Sequence, residues 1–314
     1  MLIQLYDASG HDRPLAVKDL PKVRLKADSL LWINGTADEI AALTLPKSIA
    51  AAVDVIPAQS GAVQIHDAFY TLTVPVLNHT TGNEWDELVL IVGQEWLISR
   101  GGSNAADFDQ LLANEVGETS KGQLSGSTMA ATLIAEHFGR VHARIAGINR
   151  EVDRIEERIL TATERRNTLQ VMAVLRRQVS RLRTLVDAYR GLITTLTRPD
   201  FLPEIDKDDR QHFAHLLAGF ERLEDEVARL RESVVESFEL YATRVAQDTN
   251  RLLRTLTFLT IGIGLVGALA GVFGMNFKAA LFEQGANGFY VATFVMAGIL
   301  AVTGTIAVLT YRRP

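Results

Sequence analysis

The segment Arg251–Asn276 has the sequence RLLRTLTFLTIGIGLVGALAGVFGMN, and the interpretation of the whole chain starts from it. It carries two arginines in its first turn, has no charged residue from Thr255 to Phe273, and closes on Gly274-Met275-Asn276. A run of about 18 or more apolar residues is long enough to cross a bilayer as a helix. We therefore predict a membrane-crossing helix that ends at the Gly-Met-Asn tripeptide.

Small and polar residues recur along one side of this segment at alternating steps of three and four. Those steps place side chains on one face of a helix. We call this face the glycine–threonine stripe, and it consists of Asn250, Leu253, Thr257, Thr260, Gly264, Gly267, Gly271 and Gly274. The stripe fits the lining of a water-filled pore, but small residues four apart, such as Gly267 and Gly271, are also typical of close helix packing. The sequence leaves both interpretations open.

A second uncharged run, Gly288–Tyr311, follows a short loop and ends in two further arginines. We therefore predict a C-terminal domain of two membrane crossings, residues 255–314.

Arginines flank both crossings on the side away from the loop, at Arg251, Arg254, Arg312 and Arg313. The positive-inside rule places such residues in the cytoplasm. We expect a multi-pass protein of the cell inner membrane with both termini cytoplasmic. Since two helices cannot enclose a water path, a pore requires several copies in a ring.

The composition of the chain excludes some kinds of binding site and partner. The 314 residues include no cysteine, which excludes disulfides and thiolate metal sites. The net charge of −5 argues against nucleic acid as a partner, because nucleic-acid-binding domains usually carry a basic surface. The N-terminal sequence MLIQLYDASGHDRPL has no basic start followed by an apolar core, so it is not a signal peptide. We expect the first domain to stay in the cytoplasm.

Residues 1–120 have the pattern of a mixed α/β domain. Runs rich in β-branched and aromatic residues predict strands at Leu2–Tyr6, Leu30–Ile33, Val63–His66, Ala68–Leu77, Trp85–Val92 and Gln94–Arg100. Short helices are predicted at Ala37–Leu43, Lys47–Val53 and Ala105–Ala113. The sequence contains no phosphate-binding glycine loop, no Ser/His/Asp arrangement and no paired carboxylates at a defined spacing. We therefore predict a scaffold or regulatory domain, and not an enzyme.

Residues 121–254 are predicted to form a helical hairpin and a stalk. Apolar residues at three- and four-residue steps indicate helices over about residues 128–163, 167–196 and 208–275. No proline interrupts the third helix, and Gly219 is its only glycine before the membrane segment. At ~1.5 Å per residue this helix is roughly 100 Å long. A helix of that length needs packing partners, and copies of the same chain are the simplest source. The chain is therefore predicted to be an α+β protein.

One further candidate site lies on the long helix. His212 and His215 share a helix face at a spacing of three, and acidic residues that include Glu239 follow on the same helix. The acidic residues alternate with arginines, which favours a solvated face. Between copies of the chain, these histidine and carboxylate side chains are also candidate ligands of divalent cations.

Gly274-Met275-Asn276, at the outer end of the first of two C-terminal membrane helices, resembles the signature of the CorA superfamily of divalent-cation transporters, which includes the ZntB zinc transporters. The approach to the membrane, NRLLRTLT from Asn250 to Thr257, is also similar, as is the order of α/β start, hairpin and stalk. The resemblance implies a homopentameric funnel with five stalk helices around one pore. It implies an outer mouth where Asn276 meets the hydrated ion. It also implies that divalent cations bound between cytoplasmic domains favour a closed state in Mg²⁺-transporting members.

The chain departs from the family pattern near the predicted mouth. Leu265 and Gly267 stand where the family often has a proline and, two residues later, a threonine. Lys278 stands where the outer loop often has an acidic residue, and a ring of lysines would repel cations. Glu283 in the same loop is the candidate to offset that charge. The ion therefore stays open among Mg²⁺, Zn²⁺, Co²⁺ and Ni²⁺, expected as substrate and as regulator, with no other cofactor.

Three functions can be compared at this point. Transport of divalent metal cations through a homopentameric pore in the lipid bilayer is the leading hypothesis. The alternative is a membrane-anchored, oligomeric metal-sensing scaffold, in which the hairpin only tethers and oligomerises the cytoplasmic domain. An enzyme has the least support, because no catalytic arrangement of side chains occurs in the sequence.

Overall fold

The computed structural model describes residues 1–7, 12–26, 29–52, 59–77, 85–101, 125–161, 167–198, 200–201, 207–275 and 285–312. These residues form two compact units. The first consists of Met1–Ile155 with Glu164–Val235, and the second of Glu156–Thr163 with Glu236–Pro314. The predicted helix Ala105–Ala113 lies outside the described residues.

A seven-stranded sheet forms the N-terminal part of the first unit. Its strands are β1 (Leu2–Asp7), β2 (Arg13–Pro14), β3 (Ser29–Gly35), β4 (Val63–Ile65), β5 (Tyr70–Leu77), β6 (Trp85–Val92) and β7 (Trp96–Gly101). They lie in the order β2-β1-β3-β7-β6-β5-β4. All neighbours are antiparallel except β3 and β7, which run parallel with Ile33 opposite Ile98. The sheet is therefore mixed, as an α/β pattern with hairpins predicts.

The central strands are buried on both faces. All residues of β3 from Ser29 to Asn34 are buried, and so are those of β5 from Tyr70 to Val76. Strands that are covered on both sides appear in the sequence as continuous apolar runs. One face of the sheet packs on a short 3-10 helix (Val17–Lys22), α1 (Ala37–Ala41) and α2 (Lys47–Ala50), which contribute Leu20, Ile40 and Ile49 to a shared core with Leu31, Ile33 and Ile98.

Four long helices follow the sheet. They are α3 (Gly126–Thr161), α4 (Thr168–Leu196), α5 (Lys207–Phe273) and α6 (Ala286–Arg312). Their apolar faces in the first unit are buried as the spacing predicts, for example Leu133, Phe138, Val141, Met172, Leu175, Val179, Phe213, Phe220 and Val227. α5 contains 67 residues without a break, so at ~1.5 Å per residue it is about 100 Å long. The predicted continuous third helix is confirmed.

Several predicted boundaries differ from the structure. β5 begins at Tyr70 and β7 at Trp96, because the residues just before each strand form bends. The helix predicted at Lys47–Val53 ends at Ala50, where Ala52 N–H turns back to the Ile49 carbonyl at 2.9 Å. The sequence interpretation missed β2, which is only two residues long, and the 3-10 helix before β3.

Side chains on α5 make polar contacts with the preceding helices. In the first unit, Arg190 of α4 forms an ion pair with Glu224, and His142 Nδ1 of α3 lies 2.6 Å from Glu226 Oε2. In the second unit, Ser237 Oγ donates to an oxygen of Glu156 at 2.5 Å. These contacts mark the face of α5 that lies against α3 and α4.

A buried carboxylate fastens the start of α5 to the start of α3. Asp209 is only 8% exposed, and its Oδ1 accepts hydrogen bonds from Ser125 Oγ at 2.5 Å and Thr128 Oγ1 at 2.8 Å. Ser125 Oγ also accepts from Thr128 N–H at 2.9 Å, which caps α3. Next to this cluster, the Tyr70 hydroxyl donates to Ser127 Oγ at 2.9 Å, and burial raises the pKa of Tyr70 well above its usual range.

We predict that Asp209→Ala destabilises the first unit, because two partly buried hydroxyls lose their shared acceptor. The expected loss is about 1–3 kcal/mol, or roughly 2–4 °C in Tm for each kcal/mol in a domain of this size. All three tryptophans lie in the sheet, at Trp32, Trp85 and Trp96. Thermal unfolding followed by tryptophan fluorescence therefore reports on this unit in the full-length protein.

Asp225→Ala is the matched control, because Asp225 is an exposed carboxylate on the same helix. It should leave Tm within the small range expected of exposed surface positions. Equal Tm values for the two variants would contradict the anchoring role of Asp209.

Candidate functional site

Among the described residues, two helices are long and apolar enough to cross a membrane. They are α5, through its apolar C-terminal part, and Ala286–Leu309 of α6. In each of them, only 6% of the most apolar 18-residue window is buried within the chain. An apolar core helix of a soluble protein would be mostly buried. The two crossings predicted from the sequence therefore correspond to two helices whose apolar surface remains largely exposed.

The two helices pack against each other along a narrow row of residues, which we call the hairpin seam. The row is recognised by its burial at steps of three and four, while most neighbouring positions are exposed. It consists of Thr255, Phe258, Gly262, Val266 and Leu269 on α5, and of Gly288, Ala292, Met296, Ile299, Thr303 and Ala307 on α6. Gly262 is the most buried member on α5, and Ala307 on α6 is only 2% exposed.

The two helices approach each other closely at Gly262. A Cβ atom at this position would lie 2.4 Å from Thr303 Oγ1 and 3.0 Å from Thr303 Cβ. Thr303 Oγ1 donates to the Ile299 carbonyl at 2.8 Å, which holds the side chain in place. The absence of a side chain at Gly262 is therefore what allows Thr303 to reach the backbone of α5. The sequence interpretation missed this role of Gly262.

The glycine–threonine stripe lies on the opposite face of α5. All eight of its residues, from Asn250 to Gly274, are exposed. A Cβ atom built at Gly264, Gly267 or Gly271 would meet nothing within 4 Å. At about 100° per residue, the centre of the stripe is about 180° from the centre of the seam. The stripe is therefore not used for packing within the hairpin, which leaves copies of the chain, water or lipid as its neighbours.

The C-terminal end of α5 and the start of the segment after it lie within the described residues as far as Met275. Gly274 N–H donates to the Ala270 carbonyl at 2.9 Å, and Met275 N–H donates to the Val272 carbonyl at 3.2 Å. Met275 is exposed. The predicted mouth residue Asn276 and the predicted loop residues Lys278 and Glu283 lie outside the described residues. Their roles stay predictions.

The predicted metal ligands form no site within the described part of one chain. His212 and His215 are exposed on the part of α5 in the first unit, and Glu239 is exposed on its part in the second. Among the described residues, no three histidine, aspartate or glutamate side chains are grouped closely enough to hold a metal ion. A contribution of these three residues to a site shared between copies stays a prediction.

The sequence is similar to a known protein family and to two curated proteins that carry the same name. A profile described as CorA-like Mg²⁺ transporter protein matches residues 38–312. The cobalt/magnesium transport protein CorA of Thermotoga maritima is 28% identical over 155 residues, which cover 49% of this chain and 43% of that protein. The protein of the same name from Methanocaldococcus jannaschii is 23% identical over 170 residues, which cover 54% and 53%. The chain thus spans about half the length of the curated relatives it matches.

The fold is shared with a solved structure along nearly the whole chain. The complete structure of the CorA magnesium transporter from Methanocaldococcus jannaschii aligns with a TM-score of 0.74 and 17% identity, and the alignment covers 98% of this chain and 97% of that one. This likeness confirms the predicted α+β fold, with its N-terminal mixed sheet, long helix and two C-terminal candidate membrane helices.

We predict that Gly262→Ala loosens the hairpin seam, because the added methyl group overlaps Thr303 and overpacking typically costs about 1–3 kcal/mol. The chain has no cysteine, so a disulfide within one chain can form only between two introduced cysteines, across the seam, and measures how closely the two helices pack. Val266→Cys and Ile299→Cys suit this purpose, since each lies four residues from the Gly262–Thr303 contact, in the order expected of antiparallel helices. The yield of their disulfide in membranes should fall when Gly262→Ala is added.

Gly264→Ala provides the control, since its methyl group would meet nothing within 4 Å in the chain. If both substitutions left the disulfide yield unchanged, the close contact at Gly262 would not hold the hairpin together.

Proposed function

The chain belongs to the family of CorA-like Mg²⁺ transporter proteins, and on this premise we propose that it transports divalent metal cations across a membrane through a pore enclosed by several copies of α5. The family is one of transporters, which confirms the prediction that the chain is not an enzyme. The resemblance described above supports five copies, the inner membrane as the location, and cytoplasmic termini. The protein's partners are then further copies of itself and the lipid bilayer.

The observation that carries the proposal is the exposure of the glycine–threonine stripe opposite the hairpin seam. α6 occupies one face of α5, so the opposite face is available to meet the same face of other copies. A helix in contact only with lipid has no need of threonine and glycine in a row. Around a ring axis, the same row supplies hydroxyls and short side chains, which leave room for water. The stripe therefore serves as the lining of the proposed pore.

The chemistry of the stripe suits an ion that stays hydrated. It contains no aspartate, glutamate, histidine or cysteine, so it offers no strong ligand that would trap a bare cation. Mg²⁺ gives up its water reluctantly, and a ring of Asn276 amides at the mouth would hold such an ion through its water shell. Inward movement of a double charge gains roughly 4–5 kcal/mol at about 100 mV.

The proposed substrates follow from the names of the curated relatives and from the residues at which this chain differs from the family pattern. Cobalt and magnesium occur in the names of the curated relatives, so Mg²⁺ and Co²⁺ are the first substrates to test, followed by Ni²⁺ and Zn²⁺. Lys278 at the predicted mouth and Gly267 in place of a threonine distinguish this chain within the family pattern. The comparison of ions should therefore be made on this protein itself.

We predict that Gly271→Leu blocks transport by placing a bulky apolar ring in the pore. The full-length protein is reconstituted into proteoliposomes that contain a Mg²⁺- or Co²⁺-sensitive dye, and influx is measured at a fixed membrane potential. Influx should fall about tenfold or more, because apolar constrictions lose water.

Ala270→Leu is the matched control, since Ala270 is exposed and adjacent in sequence but lies about 100° away around the helix. It should retain most of the influx. The pore assignment fails if Gly271→Leu transports as well as Ala270→Leu. Absence of influx of Mg²⁺, Co²⁺, Ni²⁺ and Zn²⁺ into liposomes that hold the unmodified protein would contradict transport and favour the membrane-anchored scaffold.

Asn276→Ala is predicted to abolish influx while the oligomer remains intact, because the amide that meets the hydrated ion is removed. The measurement pairs the dye assay with cross-linking of the oligomer in the same membranes. Influx close to that of the unmodified protein, with the oligomer present, would contradict the mouth assignment.

A further inference from the structure

One side of α5, between the hairpin seam and the glycine–threonine stripe, carries an arginine at the end of an apolar row. We call this side the arginine flank, and it consists of Arg254, Ile261, Leu265 and Val272. At about 100° per residue the four residues share one direction, which is about 80° from the centre of the seam and about 100° from the centre of the stripe. The three apolar side chains are 51%, 49% and 55% exposed, and Arg254 is exposed as well. The flank is therefore open to a partner outside the chain.

Arg254 has no counter-charge within the described part of its own chain. Arg251, one turn earlier, has its Nη1 4.0 Å from Asp248 Oδ1, whereas no carboxylate of the described residues lies within that distance of Arg254. Further positive charge occurs at the same depth, because the antiparallel helix α6 ends at Arg312. This end of the hairpin therefore attracts an anion.

The length of the arginine flank matches one leaflet of a bilayer. The hydrocarbon core of a bilayer is about 30 Å thick. Arg254 immediately precedes the uncharged run, so its guanidinium lies at the level of the lipid headgroups, on the side that the positive-inside rule makes cytoplasmic. Leu265 lies about 16 Å further along the helix axis, close to the middle of the bilayer. A lipid with its phosphate at Arg254 can therefore lay an acyl chain along Ile261 and Leu265.

A second copy of the chain fits the arginine flank less well than a lipid does. In a ring with the stripe inward, a neighbouring copy would bring its opposite flank, which at this depth carries the exposed residues Leu252, Leu256 and Leu259. A guanidinium packed on leucines loses water without gaining a partner, which is unfavourable. A phosphate offers the guanidinium two oxygens in a matching geometry. An anionic headgroup also lacks the ammonium with which a zwitterionic one would compete for that phosphate.

We propose that the arginine flank binds an anionic phospholipid of the cytoplasmic leaflet, with the headgroup phosphate on Arg254 and an acyl chain along Ile261 and Leu265. Basic residues on the cytoplasmic side of membrane helices commonly hold anionic headgroups. The site requires that α5 crosses the membrane, but it does not require that the protein conducts ions. In a ring of copies, the bound lipid fills the groove between two neighbours at the cytoplasmic end of α5.

The test measures lipid binding to the full-length protein by native mass spectrometry. The protein in detergent is titrated with phosphatidylglycerol and, separately, with phosphatidylcholine, and an apparent Kd per chain is obtained for each lipid. We expect Arg254→Gln to weaken phosphatidylglycerol binding about fivefold, which is the contribution of one arginine at an anionic surface. Phosphatidylcholine binding should stay nearly the same. Arg254→Lys should retain most of the affinity, because it keeps the charge.

Arg158→Gln is the matched control. Arg158 is an exposed arginine of α3 in the same unit. The nearby Glu156 contacts Ser237, which precedes Arg254 by about 25 Å along α5. This separation exceeds the Debye length of about 8 Å at physiological salt, so Arg158→Gln should leave both affinities unchanged.

Three results would overturn the inference. Equal phosphatidylglycerol affinities of Arg254→Gln and Arg158→Gln would show that the flank is not the site. Displacement of the lipid by an equal concentration of inorganic phosphate would show that the apolar row contributes nothing. A loss of cross-linked oligomer from Arg254→Gln in liposomes of phosphatidylcholine alone would identify a second copy as the occupant. Absence of metal-ion influx would contradict the proposed transport and leave the lipid site standing.

Discussion

The approach of Thr303 to the backbone of α5 at Gly262 determines which side of α5 remains open to other molecules. Inside a bilayer, a helix satisfies its own backbone groups, so its faces differ only in what their side chains meet. The seam assigns one face to α6, and the stripe is left on the opposite face with nothing within 4 Å of its central glycines. A larger residue at position 262 would overlap Thr303 and loosen this packing. The proposed pore therefore depends on a contact that does not touch the pore.

The helices of the first unit could be predicted from the sequence because apolar residues there alternate with polar ones. Phe213, Phe220 and Val227 mark one face of α5, and all three are buried. The membrane part was not accessible in the same way. Nearly every residue there is apolar, so hydropathy carries no information about which face is which. Gly262 and Gly264 look alike in the sequence and differ only in what lies across from them.

The sequence was sufficient to predict which residues share the exposed face of α5, and their role as a site stays a prediction. The three- and four-residue steps were sufficient to collect Thr257, Thr260 and the glycines on one face, and the tripeptide with its position suggested the family. The Asp209 cluster was missed for a different reason, since Ser125 and Asp209 are 84 positions apart in the chain, and no local pattern connects them.

The unbroken course of α5 has a mechanical consequence. Between Gly219 and Gly262 the helix contains neither glycine nor proline, and such residues are where helices usually bend. A helix with uninterrupted backbone hydrogen bonds resists twisting as well as bending, so it rotates as one rigid element. Because the helix is unbroken between these glycines, a rotation about its own axis would turn Thr257 together with the rest of the glycine–threonine stripe. A small angular displacement, without any change of length, would then be enough to alter which side chains face the proposed pore.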